Sequence, residues 1–231
     1  MIGSNNSAHD ICADLWEHGV DVTMVQRSST HIAWSESLMD LALGDLYSEK
    51  ALANGVATEK ADLLFASLTY RILTEAQVPV HQELARQDAE FYSQLEAAGF
   101  DLDFGVDGSG LFLKYLRRGS GYSINVGASE LIIDGPVKLK SGQVAKITGN
   151  AVVMDDGTEL EADLIVHASG YGPMNGWLAD LVSPEIADRV GKCWGYGSDG
   201  SAAATGTSTW RGPSSSLPRG TRTRSRTRNP R

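Results

Sequence analysis

Residues 3–10 read Gly-Ser-Asn-Asn-Ser-Ala-His-Asp and lead into helix-like sequence. A glycine-led turn of this kind closes a strand, opens a helix and holds the pyrophosphate of a dinucleotide. Against the pattern G-x-G-x-x-G, Gly3 takes the first place, Asn5 the second and Ala8 the third. Alanine at the third place keeps close helix–strand packing. At the second place, asparagine tolerates left-handed backbone where glycine would let the backbone approach the phosphates. A second group follows in Val25-Gln26-Arg27-Ser28-Ser29-Thr30. An NAD site places Asp or Glu at the end of this strand to take the ribose hydroxyls. Arginine followed by hydroxyl residues suits a 2′-phosphate, which a guanidinium binds by charge-assisted hydrogen bonds. The expected cofactor is therefore NADP; the alternative is a surface arginine in a polar loop. A third group is Ala168-Ser169-Gly170-Tyr171, where a glycine at the carboxyl end of a strand lets a ligand come close to the backbone. The candidate cofactor-binding residues are Gly3, Ser4, Asn5, Asn6, Ser7, Ala8, Arg27 and Ser28, with Ser169, Gly170 and Tyr171 marking a second cofactor region.

Nothing in the chain announces acid–base or nucleophilic chemistry. His9 and His167 have no nucleophile or carboxylate partner identifiable by spacing and read as structural. No Gly-x-Ser-x-Gly elbow and no Tyr-x-x-x-Lys pair occur. Cys12 and Cys193 make neither a disulfide framework nor a metal-ligand cluster, and Cys12 reads as a small buried apolar residue. No residue is assigned as catalytic and none as a metal ligand.

The elements that would position these groups follow from hydrophobic periodicity. Ile11, Leu15 and Trp16 space as one helical face, Gly19 suits a helix stop, and Val20 to Val25 is an apolar run for a second buried strand. Turn, helix and strand are most of a βαβ unit, but Met1 and Ile2 leave its first strand almost missing. Residues 31–104 read as mainly helical, with packed segments at 63–65 and 68–73 and a face of Phe91, Tyr92 and Leu95 stopped by Gly99. Residues 105–120 read as a Gly-rich loop. Its basic run, Lys114 to Arg118, is either a solvated turn or a contact to a cofactor phosphate or a neighbouring domain. Ser123 to Val126 is a short strand ending at Gly127. Three alternating segments at 137–139, 144–147 and 151–154, closed by Asp155-Asp156-Gly157, predict an antiparallel meander. Ala162 to Ala168 reads as a buried strand of the parallel type.

The expected fold is α/β: a Rossmann-like dinucleotide-binding domain with a helical insertion, an antiparallel β-meander and a disordered C-terminal tail. The expected division is 1–135 (NADP-binding, insertion 31–104), 136–198 (meander and returning strand) and 199–231 (tail). Residues 1–199 carry all 29 acidic residues and 13 of the basic ones, a balance of −16, whereas 200–231 hold seven arginines and no acid. An acidic body disfavours nucleic acid, and binding through the arginine tail is the remaining nucleic-acid reading. No signal peptide and no apolar run near the roughly 20 residues of a membrane span is visible, so a cytoplasmic, soluble protein without a membrane span is expected.

The runs Ile2 to Ile11 and Val25 to Ser28 resemble the NADPH-binding segment of flavin-containing monooxygenases. Ala168-Ser169-Gly170-Tyr171 is similar to that family's Ala-Thr-Gly-Tyr motif, with serine for threonine. The resemblance is nearest to the fungal dimethylaniline-monooxygenase-like members and covers about residues 1–198. It implies an NADP domain inserted in an FAD domain, with 136–198 crossing back to the latter and Ser169, Gly170 and Tyr171 near flavin. In the family NADPH reduces the flavin, which then oxygenates a small-molecule substrate with a soft nucleophilic or carbonyl centre. The family's first G-x-G-x-x-G and its Phe-x-Gly-x-x-x-His signature are absent from the 231 residues, and the sequence past Asp199 resembles translation in a shifted frame. A piece of such an oxidoreductase, inactive alone, is therefore expected. The alternative is a non-catalytic NADP-binding module or an unstable gene-model fragment.

Overall fold

A computed structural model describes residues 1–172, 174–192 and 194–195. The expected tail at 199–231 and Cys193 lie outside the described residues.

The architecture is mixed α/β. Helix α1 (Asn6–Glu17) leads to β1 (Val22–Gln26), with Gly19 turning the chain at a φ of 79°. The helix packs through Ala8, Cys12 and Leu15 rather than the expected Ile11, Leu15 and Trp16; Trp16 is exposed. Small residues at positions 8 and 12 let the helix lie close on the strands, so shape outweighs hydrophobicity there. Cys12 is buried, as its reading required, and burial pushes its thiol up to about 11.

The almost missing first strand is supplied by neighbours. Ile2 bridges in parallel to Val25 on one side and His167 on the other. Four backbone hydrogen bonds of 2.8–3.0 Å hold it: from Ile2 N to Val166 O, Gly3 N to Val25 O, Val25 N to Met1 O and Ala168 N to Ile2 O. On its far side β1 pairs in parallel with β4 (Val137–Ser141), Val22 against Val137 through Gln26 against Ser141. Across this layer the order is β4, β1, Ile2, His167.

Two expectations are corrected here. The segment at 137–139 is not the first strand of the meander but the parallel partner of β1; Val137 joins the core with Val22, which a surface hairpin would not allow. Residues 162–168 are not a buried strand: Leu164 is 65% exposed and the described pairing is the single bridge at His167. One side of this segment pairs with Ile2 and the other pairs with no described strand, while Ile165 packs against Val25, Val152 and Met154. The sheet thus includes residues on both sides of the expected boundary at 135.

Residues 31–133 form the excursion between β1 and β4. Strand β2 (His31–Trp34), unexpected in a region read as helical, pairs in parallel with β3 (Tyr122–Asn125). The helices between them are α2 (Ser35–Ser37), running into a π-helical turn at Leu38–Leu43, α3 (Glu49–Ala53), α4 (Thr58–Ser67), α5 (Tyr70–Gln87), α6 (Ala89–Ala97) and α7 (Gly110–Arg118). Helix α7 replaces the expected Gly-rich loop: Gly110 starts it where a Cβ would overlap the His81 ring, and Gly119 ends it in left-handed geometry. Phe91, Tyr92 and Leu95 are buried as expected, and the Tyr92 hydroxyl donates to Ile32 O at 3.0 Å. Helix α8 (Ala128–Ile133) returns the chain to β4.

The meander consists of β5 (Val144–Ile147), β6 (Ala151–Met154) and β7 (Glu159–Glu161) in antiparallel order. Val152 and Met154 pack on Val25, which fixes the meander to the parallel layer. Helices α9 (Met174–Leu181) and α10 (Pro184–Val190) follow.

Candidate functional site

Parallel strands end together, so the residues that follow them share one edge of the layer. Gly3 follows Ile2 there with a φ of 130°; a Cβ on it would fall 2.4 Å from the Ala168 carbonyl oxygen. Asn5 caps α1 from extended backbone, with φ −97°, so the tolerance of asparagine for left-handed geometry is not drawn on. Its carbonyl accepts the N–H groups of Ala8 and His9, but its side chain makes no cap. Asn5 Oδ1 instead accepts from Thr30 Oγ1 at 3.3 Å, which leaves the Ser4 hydroxyl to donate to Thr30 at 2.9 Å. Asn6 Oδ1 accepts from Ile124 N at 2.8 Å and ties the helix start to β3. Ser7 is exposed and Ala8 buried. A helix opening without a side-chain cap presents amide donors and the positive end of its dipole, which is the environment an anion needs.

Arg27 and Ser28 sit directly after β1, both exposed, and Arg27 makes no ion pair or hydrogen bond among the described residues. No carboxylate occupies the end of that strand. The residue before them, Gln26, is buried and exchanges two hydrogen bonds with Asp101: its Nε2 donates to Asp101 O at 3.0 Å and its Oε1 accepts from Asp101 N at 2.8 Å. Beyond them, Thr30 N donates to Asp101 O and the Ser29 hydroxyl donates to Asp103 Oδ2 at 2.5 Å. The same carboxylate oxygen accepts from Lys114 Nζ at 2.5 Å, and Oδ1 accepts from Gly105 N. Burial pushes the Asp103 carboxyl up, but hydrogen bonds from Lys114, Ser29 and the Gly105 amide outweigh it and hold the group below its ordinary value. Lys114, read as solvated or phosphate-binding, is therefore a buried partner of Asp103, and Arg117 pairs with Asp107.

Ser169, Gly170 and Tyr171 are exposed, Tyr171 completely. They follow Ala168, whose backbone abuts Gly3, so two of the three sequence groups meet at the gap between 1–3 and 166–168. The chain winds from Ile2 through β1 to β4 on one side and returns to His167 on the other, so this gap is where strand order reverses. Open α/β sheets hold ligands at such a point. No cradle for a flavin ring surrounds Tyr171 among the described residues. Two cavities of about 450 and 410 Å³ lie elsewhere, the larger beside Trp34, Asp88 and Phe91 and the smaller between α1 and α8.

A probable indole-3-pyruvate monooxygenase of Arabidopsis thaliana, YUCCA10, is 25% identical to this chain over 183 residues. The chain is similar to a monooxygenase, at low identity. The match covers 78% of this chain and 39% of that protein, so the chain spans about two-fifths of its relative's length. No family model matches.

Sequence reasoning missed Asp103 and the contacts of Thr30, Gln26 and Lys114, because each acts across a separation of 11 to 75 residues. It also missed a buried imidazole pair. His31 Nδ1–H donates to Asp103 O at 3.1 Å, its Nε2 has no partner, and its ring lies 5.4 Å from that of His81. Burial, then the neighbouring His81 and Lys114, lower the His31 pKa to about 3. His81 Nε2 accepts from Leu111 N, so Nδ1–H donates to Gln77 O and the ring is neutral. His9 is likewise lowered by burial, with Nδ1–H donating to Asn5 O. These histidines are packing groups, as His9 was read. Among the described residues no cluster of His, Cys, Asp or Glu is placed to hold a metal, and no helix is long and apolar enough to cross a membrane.

Proposed function

We propose that this chain is the NADP(H)-binding part of a flavin-dependent, monooxygenase-like oxidoreductase. The observation that carries the reading is the uncapped start of α1 beside an Arg27 unpaired among the described residues, both at the carboxyl ends of adjacent parallel segments. In a Rossmann-like assignment, the strand order with its reversal beside Ile2 supports a pyrophosphate at Gly3 to Ala8 and a 2′-phosphate at Arg27 and Ser28. The guanidinium supplies bidentate donors to that phosphate, and the helix dipole adds to the field at the pyrophosphate. Bound NADPH would supply hydride to a flavin; the described residues orient the nucleotide and do not enclose FAD.

Ser169, Gly170 and Tyr171 form the rim from which the nicotinamide end would face the flavin-bearing part of a larger assembly. Substrate chemistry, a soft nucleophilic or carbonyl centre on a small molecule, belongs to that assembly, as does a place in the cytoplasm. The likeness to a monooxygenase supports the class, and the sequence resemblance supports its fungal dimethylaniline-monooxygenase-like branch.

The reading is tested by calorimetry of the full chain with NADPH and NADH. NADPH is expected to bind more tightly, and Arg27→Ala to weaken it about tenfold with NADH unaltered, one charge-assisted contact's worth. Equal affinity for the two nucleotides, or indifference to Arg27→Ala, refutes the NADP assignment. No NADPH oxidation is expected from the chain with added FAD; stoichiometric flavin uptake with turnover would overturn that part.

A further inference from the structure

Both ends of the loop that presents Arg27 are fastened to one distant segment. At its start, buried Gln26 exchanges its two amide hydrogen bonds with the Asp101 backbone. At its end, Thr30 N donates to Asp101 O, Asp103 N donates back to Thr30 O at 3.4 Å, and the Ser29 hydroxyl donates to Asp103 Oδ2. Asp103 is in turn gripped by Lys114 Nζ, whose side chain is only 6% exposed, and by the Gly105 amide. The stem of Lys114 is itself confined, because a Cβ on Gly121 would stand 3.0 Å from its Cε. A hydroxyl link from Thr30 to Ser4 and Asn5 continues this network into the first turn.

We propose that Lys114 and Asp103 are positioning residues for the 2′-phosphate end of the dinucleotide, setting the preference for NADPH over NADH through the Arg27–Thr30 loop. The inference rests on the assignment of NADP to Arg27. Two physical effects act together. The clamp fixes the backbone under Arg27 before ligand arrives, so the ordering of that loop is not charged against binding. Lys114 also neutralises Asp103, a half-buried carboxylate one hydroxyl away from the loop, which would otherwise repel an incoming dianion. Neither effect touches a ligand that lacks the 2′-phosphate in the same degree, so the NADPH to NADH ratio carries the signal.

The experiment is calorimetric titration of the full chain with NADPH, NADH and adenosine 2′-monophosphate, for wild type, Lys114→Met, Asp103→Asn and Ser29→Ala. Lys114→Met is expected to weaken NADPH and adenosine 2′-monophosphate about tenfold and NADH less than about twofold, since misplaced binding groups lose affinity steeply. Ser29→Ala, which loosens the clamp and leaves the Lys114–Asp103 pair intact, should cost about threefold, and Asp103→Asn, which loosens it but leaves the Lys114 charge unopposed, should cost less. In an Arg27→Ala background, Lys114→Met should cost clearly less than in wild type, because the group it positions is gone and only its neutralisation of Asp103 remains. If Lys114→Met fails to fold, Ser29→Ala, a change on the loop itself, decides. A fall in NADPH and NADH affinity by the same factor would mean a purely structural role and overturns the proposal. A wild-type preference for NADPH that depends on Arg27 but not on Lys114, Asp103 or Ser29 overturns the clamp and leaves the cofactor assignment standing. No wild-type preference at all overturns both.

Discussion

The His31 imidazole makes acid lability a quantitative consequence of the packing. Its ring is 1% exposed, its Nδ1–H is committed to Asp103 O, and its Nε2 would carry a new proton with no acceptor to receive it. Around it stand His81 from α5, Phe104 and Asp103 from the segment before α7, and Lys114 from α7 itself. Burial dominates, His81 and Lys114 add to it, and the Asp103 carbonyl and carboxylate oppose it only partly, leaving the pKa at about 3 against an ordinary 6.5. A depressed value means that the unfolded chain takes up a proton the folded chain refuses. Stability from this group is therefore complete above pH 6.5 and drains as pH falls toward 3. The slope is about 1.4 kcal/mol per pH unit inside that window, so lowering pH from 7.5 to 5 removes roughly 2 kcal/mol through His31 alone. His31→Asn keeps an N–H aimed at Asp103 O and cannot titrate in this range. Urea unfolding followed by tryptophan fluorescence, at pH 5 to 7.5 and constant ionic strength, measures the difference. The variant starts lower because it loses ring packing, but its stability should fall by about 2 kcal/mol less than wild type over the interval, about 1 M in urea midpoint. Parallel pH profiles for the two proteins would sink the reasoning, because they would mean that His31 is protonated in the folded state or open to solvent.

Two further outcomes follow from single residues. Gly3→Ala forces a left-handed backbone on alanine and drives its Cβ to 2.4 Å from Ala168 O, so a loss of about 3 kcal/mol or more is expected in urea melts. A variant within 1 kcal/mol of wild type would show that 1–3 and 166–168 do not pack as described. In a Cys193→Ser background, Cys12, buried and with its thiol pushed up to about 11, should react with an aromatic disulfide reagent at pH 8 only on unfolding. Rapid labelling of the folded chain would show that α1 opens.

Local chemistry made the turn and strand end of the candidate site legible. Gly3, the helix after it and Arg27 after β1 lie within 25 residues, and their spacing alone implies a turn against a strand end. The face of Phe91, Tyr92 and Leu95 and the hairpin at Asp155 to Gly157 were readable for the same reason, since period and turn chemistry are short-range signals. Strand β2 was not, because four residues carry too little periodicity to stand out between polar neighbours. Helix α7 was hidden by the glycines that bound it, which serve close approach to His81 at one end and termination at the other. Lys114 was misleading in a different way: a lysine among Arg117 and Arg118 looks solvated, and only the fold reveals an aspartate waiting 11 residues upstream. The exposure of 162–168 could not be read either, since an apolar run states what a segment can bury and not what is there to cover it.

Gly3 and Arg27 point to a ligand with unequal force. A glycine opening such a turn is ordinarily read as room for the tight turn beside a phosphate. Here the space where its Cβ would stand is taken by the Ala168 carbonyl, so the glycine is required by the neighbouring segment whether or not a nucleotide ever binds. Ser4 and Asn5 are similarly occupied, by Thr30. What no packing need explains is the remainder: an α1 start whose capping side chain is turned aside, and an arginine without a partner among the described residues on a loop fastened at both ends. Fixing a surface loop restricts its conformations and returns nothing to the fold if the loop only meets water. The weight of the proposed NADP assignment therefore falls on Arg27 and its clamp, and NADPH binding indifferent to Arg27→Ala would leave every glycine in place and remove the case for a 2′-phosphate site.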